Sequence, residues 1–133
     1  MIRLFETTAL RRKRLPRVRC VFCDLDGTLL TGGNTIPEEV RASIRSLTGA
    51  GVKLVLASGR TDGFTRSYSD ELGLGTPVIS LNGAMVRDAN GGVLSISPLP
   101  PSIGDVLEEV HRSVLGGGVS WSLFTPEGIF SME

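Results

Sequence analysis

Lysine is scarce in this 133-residue chain, which holds only Lys13 and Lys53, and histidine, tyrosine and tryptophan occur once each. Aromatic residues make up 5% of the sequence, so a core has to be built from Val, Leu and Ile. There are two cysteines, Cys20 and Cys23, spaced C-x-x-C. No other cysteine exists to complete a zinc site, and residues i and i+3 of a strand face opposite sides, so the two can neither grip one metal nor join readily. A redox C-x-x-C belongs at a helix start, and these two fall in an apolar run. They are expected to be buried free thiols, which suit a reducing cytoplasm. No apolar run approaches the ~20 residues of a membrane span. The Arg-rich start reaches Asp24 without a long apolar stretch, which argues against a secretory signal. The single histidine, His111, reads as structural or surface, on the polar side of a helix, and Trp121 as core packing.

What is present is a soluble globular composition of one domain's length, 41% apolar, with 17 glycines for tight turns. Net charge is zero but unevenly spread. Residues 1–19 carry seven basic groups and one acid, which leaves the rest of the chain acidic. An acidic body argues against a general nucleic-acid binder. Residues 1–17 read as a basic arm ahead of the first strand, with a phosphate, nucleic-acid or membrane-surface contact, or an import signal, as the alternatives for RRKR.

The apolar run at Cys20–Cys23 reads as a first buried strand and TGGNTIP as a loop. A helix follows, with Thr35 and Glu38 at capping-box spacing, Pro37 in the first turn, and Val40, Ile44 and Leu47 on one face. VKLVLA is a second strand ending at Ser58. TDGFTRSYSDELG is a second helix with Phe64, Tyr68 and Leu72 on a stripe. PVISL is a third strand. Continuous apolar strands alternating with helices predict a parallel sheet covered on both faces, with ligands bound beyond the carboxyl ends of its strands. Those ends carry Asp24, Ser58 and Asn82. MVRD-ANGG-VLSIS then reads as a hairpin, residues 103–114 as an amphipathic helix capped by Ser102, and GGGVSWSLF as a half-buried strand turned by PEG.

Asp24 and Asp26 form an i, i+2 pair, which in extended chain points both carboxylates the same way. Two close carboxylates need neutralising, or one holds a proton. A hard cation such as Mg²⁺ does this with one or two carboxylates, waters and phosphate oxygens. Gly27 lets the chain turn and free N–H groups face an anion, and Thr28 adds a hydroxyl. The stretch thus supplies a nucleophile, a proton carrier, a cation seat and anion donors; the plain alternative is a turn after a strand.

Asp24-Leu-Asp-Gly-Thr-Leu-Leu resembles the first motif of the haloacid-dehalogenase-like (HAD) hydrolases, most of which are Mg²⁺-dependent phosphatases. Ser58-Gly-Arg is similar to their second motif, and Ile79-Ser-Leu-Asn-Gly-Ala-Met-Val to the Cof-type branch, in which an α/β cap is inserted here. The resemblance implies a Rossmann-like α/β core of three strands over residues 18–98 and the beginning of a cap over residues 99–133. It implies that Asp24 attacks phosphorus to give an aspartyl phosphate, that Asp26 protonates the leaving alkoxide and then activates water, and that Mg²⁺ sits on the Asp24 carboxylate and the Asp26 backbone carbonyl. It puts Thr28 and Ser58 on phosphate oxygens, with Gly59, Arg60, Asn82 and Gly83 near phosphate or substrate. The substrate implied is a small phosphorylated metabolite, a sugar phosphate or similar, with no nucleic acid or membrane partner.

The chain departs from the family pattern in two places. The family uses a lysine beside the nucleophile, but Lys13 precedes the first strand and Lys53 opens the second, about 16 Å from Ser58 at ~3.3 Å per residue. The family also has an acidic G-D-x-x-N-D motif; Gly104-Asp105-Val-Leu-Glu108-Glu109 imitates it, but on a helix's exposed side. The expectation is therefore an incomplete HAD enzyme whose cap breaks off inside a hairpin. The first strand is left as an apolar edge, and a C-terminal half or a partner chain is needed to complete the core. Besides a phosphatase, the sequence admits a non-catalytic phosphate- or Mg²⁺-binding module, and a phospho-acceptor domain, which the second aspartate disfavours.

Overall fold

A computed structural model describes residues 18–114, 121–125 and 128–132. The basic arm, residues 1–17, and Val119 lie outside the described residues, as does the side chain of Trp121. The elements are β1 (Cys20–Cys23), α1 (Glu38–Gly49), β2 (Lys53–Ala57), α2 (Asp62–Glu71), β3 (Val78–Ser80), β4 (Met85–Arg87), β5 (Val93–Ile96), α3 (Ile103–Ser113), β6 (Trp121–Thr125) and β7 (Gly128–Met132).

The first five strands form one sheet in the order β1-β2-β3-β4-β5. β1, β2 and β3 are parallel, in a register that pairs Cys23 with Leu56 and Ala57 with Ile79. The 85–96 hairpin adds β4 and β5 antiparallel to β3, so the core sheet has five strands where three were expected. Asp88 sets its turn: one carboxylate oxygen accepts the N–H groups of Asn90 and Gly92, each at 2.8 Å.

The core lies between this sheet and the two helices. Leu54 and Leu56 of β2 meet Ile44 of α1 and Tyr68 of α2, and Leu25, Leu29, Leu30 and Ile36 fill the space from the β1–α1 loop. Strand alternation sends Phe22 the other way, and it is 65% exposed. The expectation of a β1 buried on both faces therefore fails among the described residues. The thiols are corrected too: Cys20 is exposed and Cys23 half-buried, because β1 buries only the alternate face.

Helix ends follow local chemistry. Thr61 caps α2, its hydroxyl accepting the Phe64 N–H at 3.4 Å. The capping box expected on α1 does not form. Thr35 is drawn into a bridge with Thr31, and Pro37 starts the helix, its carbonyl accepting from Val40 and Arg41. The β1–α1 loop is tied to α2 by the Tyr68 hydroxyl, which donates to the Asn34 carbonyl at 2.6 Å. Arg41 joins α1 to α2 by an ion pair with Glu71.

On α3, the half-buried residues are Ile103, Leu107 and His111, so His111 shares the less exposed stripe and not the polar side. Asp105, Glu108 and Glu109 are exposed on that helix. The hairpin expected to break off is formed, with β7 paired along β6 from Trp121–Met132 to Thr125–Gly128. No described helix is long and apolar enough to cross a membrane.

Leu56 is fully buried in this core. Leu56→Ala is expected to lower the unfolding free energy by about 2–5 kcal/mol, read as a shifted urea midpoint at unchanged slope.

Candidate active site

The parallel register brings three strand ends to one rim. Asp24 follows β1, Ser58 follows β2, and a tight turn over Leu81–Gly83 follows β3. Backbone hydrogen bonds lock the second and third ends together: Ser58 N–H to Ile79 O (3.0 Å), Asn82 N–H to Ser58 O (3.1 Å) and Leu81 N–H to Arg60 O (3.0 Å). Asp24, Ser58, Gly59, Asn82 and Gly83 line one open chamber of about 380 Å³, together with Ala57 and Ile79. Five of the eight sequence-predicted residues therefore meet in one place.

Two glycines in this chamber have a physical reason. A Cβ on Gly59 would stand 2.8 Å from the Asn82 side-chain oxygen, so only glycine lets that amide lie across the loop. Gly83 has φ +91°, in the left-handed region that favours glycine.

The other three residues are placed differently. Thr28 is exposed and lies off the chamber wall. Leu25 is fully buried between the two aspartates, so both carboxylates emerge on the solvent side, as an i, i+2 pair should. One Asp24 oxygen accepts the Leu25 N–H at 2.8 Å. Asp26 instead turns to Arg60, which grips it with Nε at 2.9 Å and an Nη at 2.6 Å, a bidentate pair. The same Nη donates to Asn34 Oδ1 at 3.1 Å, and the guanidinium lies 4.1 Å from the centre of the Phe64 ring. Arg60 thus binds the β1–α1 loop to the β2–α2 loop. Asn34 and Phe64 were not singled out as site residues in the sequence; an asparagine directly after Gly32-Gly33 is the one local signal for the left-handed φ of +58° that Asn34 adopts.

Hydrogen bonds from Arg60 hold the Asp26 carboxyl below the usual carboxylate range; desolvation opposes them, and the Arg60 charge adds to the lowering. Burial, with a lesser push from Asp24, moves the Cys23 thiol up, so it is a poor nucleophile. Among the described residues no group of three His, Cys, Asp or Glu side chains converges. The donor set is thus one free-facing carboxylate, Asp24, with Asp26 beside it. It fits Mg²⁺, which binds through one or two carboxylates and keeps several waters and phosphate oxygens.

Residues 21–133 match the profile of the haloacid dehalogenase-like hydrolases. The chain belongs to this family. Among similar proteins, YxeH of Bacillus subtilis is 40% identical over 75 residues, 54% of this chain and 28% of its own length. The 5-amino-6-(5-phospho-D-ribitylamino)uracil phosphatase YwtE of the same organism is 25% identical over 114 residues, 86% of this chain and 38% of its own. A crystal structure of a haloacid dehalogenase-like hydrolase from Bacteroides thetaiotaomicron superposes with a TM-score of 0.65 at 28% identity, over 73% of this chain and 38% of that one. The matched part of the chain spans 28% to 43% of the length of the first curated relatives. The chamber's residues come from the three segments that resembled family motifs in the sequence.

Two outcomes are expected here. Gly59→Ala displaces the Asn82 amide from the chamber, visible as a chemical-shift change of its side-chain NH₂ with little change in Tm. Arg60→Gln lets the Asp26 carboxyl titrate higher, toward the ordinary value, in a carbon-detected NMR titration. The sign follows from the depressed folded value: the Asp26–Arg60 pair supports the fold above the ordinary carboxylate range and loses that support as pH falls through the depressed value. An unchanged Asp26 titration in Arg60→Gln would contradict the pair.

Proposed function

We propose that this chain carries the phosphate-handling face of a phosphoric monoester hydrolase of the Cof type, acting on a small phosphorylated metabolite through an aspartyl phosphate. The observation that carries the reading is the convergence of Asp24, Ser58 and Asn82 on one open chamber at the carboxyl rim of a parallel sheet. A family relative named for a phosphorylated ribityl compound supports the substrate class.

In this reading an Asp24 carboxylate oxygen attacks phosphorus in line with the ester oxygen. The P–O ester bond breaks, and the departing alkoxide takes a proton from Asp26. Asp26, now ionised, takes a proton from water, whose oxygen attacks the acyl phosphate, releasing inorganic phosphate and restoring Asp24. The Ser58 hydroxyl and Asn82 amide donate to phosphate oxygens across the chamber, with the backbone at Gly59 and Gly83 close by and Thr28 closing from the loop. The Asp24 carboxylate and the Asp26 backbone carbonyl would hold Mg²⁺, which when bound offsets the phosphate charge against the nucleophile. Arg60 is committed to Asp26 in the structure, so Asp26 has to exchange that partner before it can carry a proton. The lysine that the family places beside the nucleophile would come from a further segment or a partner chain. Free thiols fit a cytoplasmic setting.

One observation favours a second reading, a phosphate-binding module without turnover: Asp26 is tied to Arg60, and no third acidic group joins the pair among the described residues.

Hydrolysis of p-nitrophenyl phosphate with added Mg²⁺ separates these readings. The phosphatase reading expects turnover that Asp24→Asn lowers by at least about a thousandfold and that a chelator abolishes. Turnover unaffected by Asp24→Asn overturns it. Phosphate binding by calorimetry with no turnover, even when the segment or partner that carries the missing lysine is supplied, selects the binding module.

A further inference from the structure

The Asp24 chamber has a neighbour. A second hollow of about 340 Å³ adjoins it, sharing Gly59 and walled by Arg60, Thr61, Phe64, Leu81 and Phe124. We propose that this hollow receives the group esterified to phosphate, and that it selects a flat, apolar one, an aromatic or heteroaromatic ring, over a polyol. The proposal rests on the phosphatase reading and narrows its substrate class, away from the sugar phosphate that the sequence suggested.

Three observations carry it. The first is the wall. Phe64, Leu81 and Phe124 come from three separate parts of the chain and present only carbon. Phe124 sits on the β6–β7 hairpin, 44% exposed, so ring surface is available there to cover.

The second is that, before Asp26 exchanges its partner, part of the polar capacity of the wall is engaged. Arg60 donates to both Asp26 oxygens and to Asn34, and the Thr61 hydroxyl accepts the Phe64 N–H as the cap of α2. A polyol entering this hollow would give up water at each hydroxyl and find few partners, a loss the walls do not offset. A ring has nothing to satisfy. It also meets the planar guanidinium of Arg60, already packed on Phe64, which favours stacking.

The third is strain. Leu81 and Asn82 both lie in the left-handed region, at φ +51° and +55°. Asparagine tolerates this; leucine is an outlier there. Glycine at position 81 would make the same turn without strain, so leucine contributes only its side chain. The turn divides two neighbouring side chains between the two hollows, Asn82 toward phosphate and Leu81 toward the group beside it.

The test is calorimetric binding of three non-hydrolysable probes to the full chain: methylphosphonate, benzylphosphonate and 2,3-dihydroxypropylphosphonate. Benzylphosphonate is expected to bind about tenfold tighter than the dihydroxypropyl compound, and in Leu81→Gly and in Phe124→Ser this preference falls below about threefold while methylphosphonate affinity holds within about twofold. A dihydroxypropyl compound that binds as tightly as the benzyl one overturns the proposal, as does a benzyl preference intact in both variants. If methylphosphonate itself fails to bind the unaltered chain, the phosphatase reading falls first and this one with it.

Discussion

Everything at the candidate site depends on the parallel register of three short strands. Cys23 beside Leu56 and Ala57 beside Ile79 bring Asp24, Ser58 and the Leu81–Gly83 turn to one level. A slip of one residue in either pairing would turn every side chain of the moved strand to the other face and carry its polar end out of the chamber. The register is held by the core: Leu54 and Leu56 point into the same cluster as Leu25, Ile44 and Tyr68, so a slipped β2 would put both leucines outside it. Burying apolar surface beneath the sheet and gathering polar groups at its rim are one event.

Arg60 is the second organising element. It was expected near phosphate or substrate; in the structure it bonds Asp26 and Asn34 and packs on the Phe64 ring. The pair is partly exposed, so its effect is on where the loop and the carboxylate sit more than on stability. It keeps Asp26 ionised and away from the chamber that Asp24 lines. In the proposed chemistry this makes the state without substrate one in which the nucleophile is presented and the proton carrier is held aside. The same guanidinium forms part of the wall of the second hollow, so the loop holding Asp26 and the hollow proposed for the leaving group share one residue.

The strands and helices were legible because each has a strong local cause: β1 to β3 are built on short apolar runs, and α1 and α2 carry apolar stripes that end near Gly51 and Gly73, whose φ values are +79° and +62°. The three polar strand ends could be read for the same reason. What was not legible depends on tertiary partners. The α1 capping box had the right spacing, but Thr35 found a nearer partner in Thr31. Cys20 and Phe22 sit in an apolar run, yet β1 buries only its other face. His111 was placed by its neighbours in sequence, whereas helical periodicity groups it with Ile103 and Leu107. The Arg60–Asp26 pair spans 34 residues, and no local pattern signals it. Leu81 could not be foreseen because leucine has no propensity for the conformation it adopts.

The central claim is that Asp24, Ser58 and Asn82 form one phosphate chamber with Asp24 as the group that bonds to phosphorus. A crystal structure of the chain soaked with beryllofluoride and Mg²⁺ tests this most directly. The account predicts a tetrahedral beryllofluoride on an Asp24 carboxylate oxygen, its fluorines within hydrogen-bonding distance of the Ser58 hydroxyl and the Asn82 amide. Beryllofluoride on Asp26 with Asp24 unmodified, or bound to Asp24 while Ser58 and Asn82 face elsewhere, would contradict it.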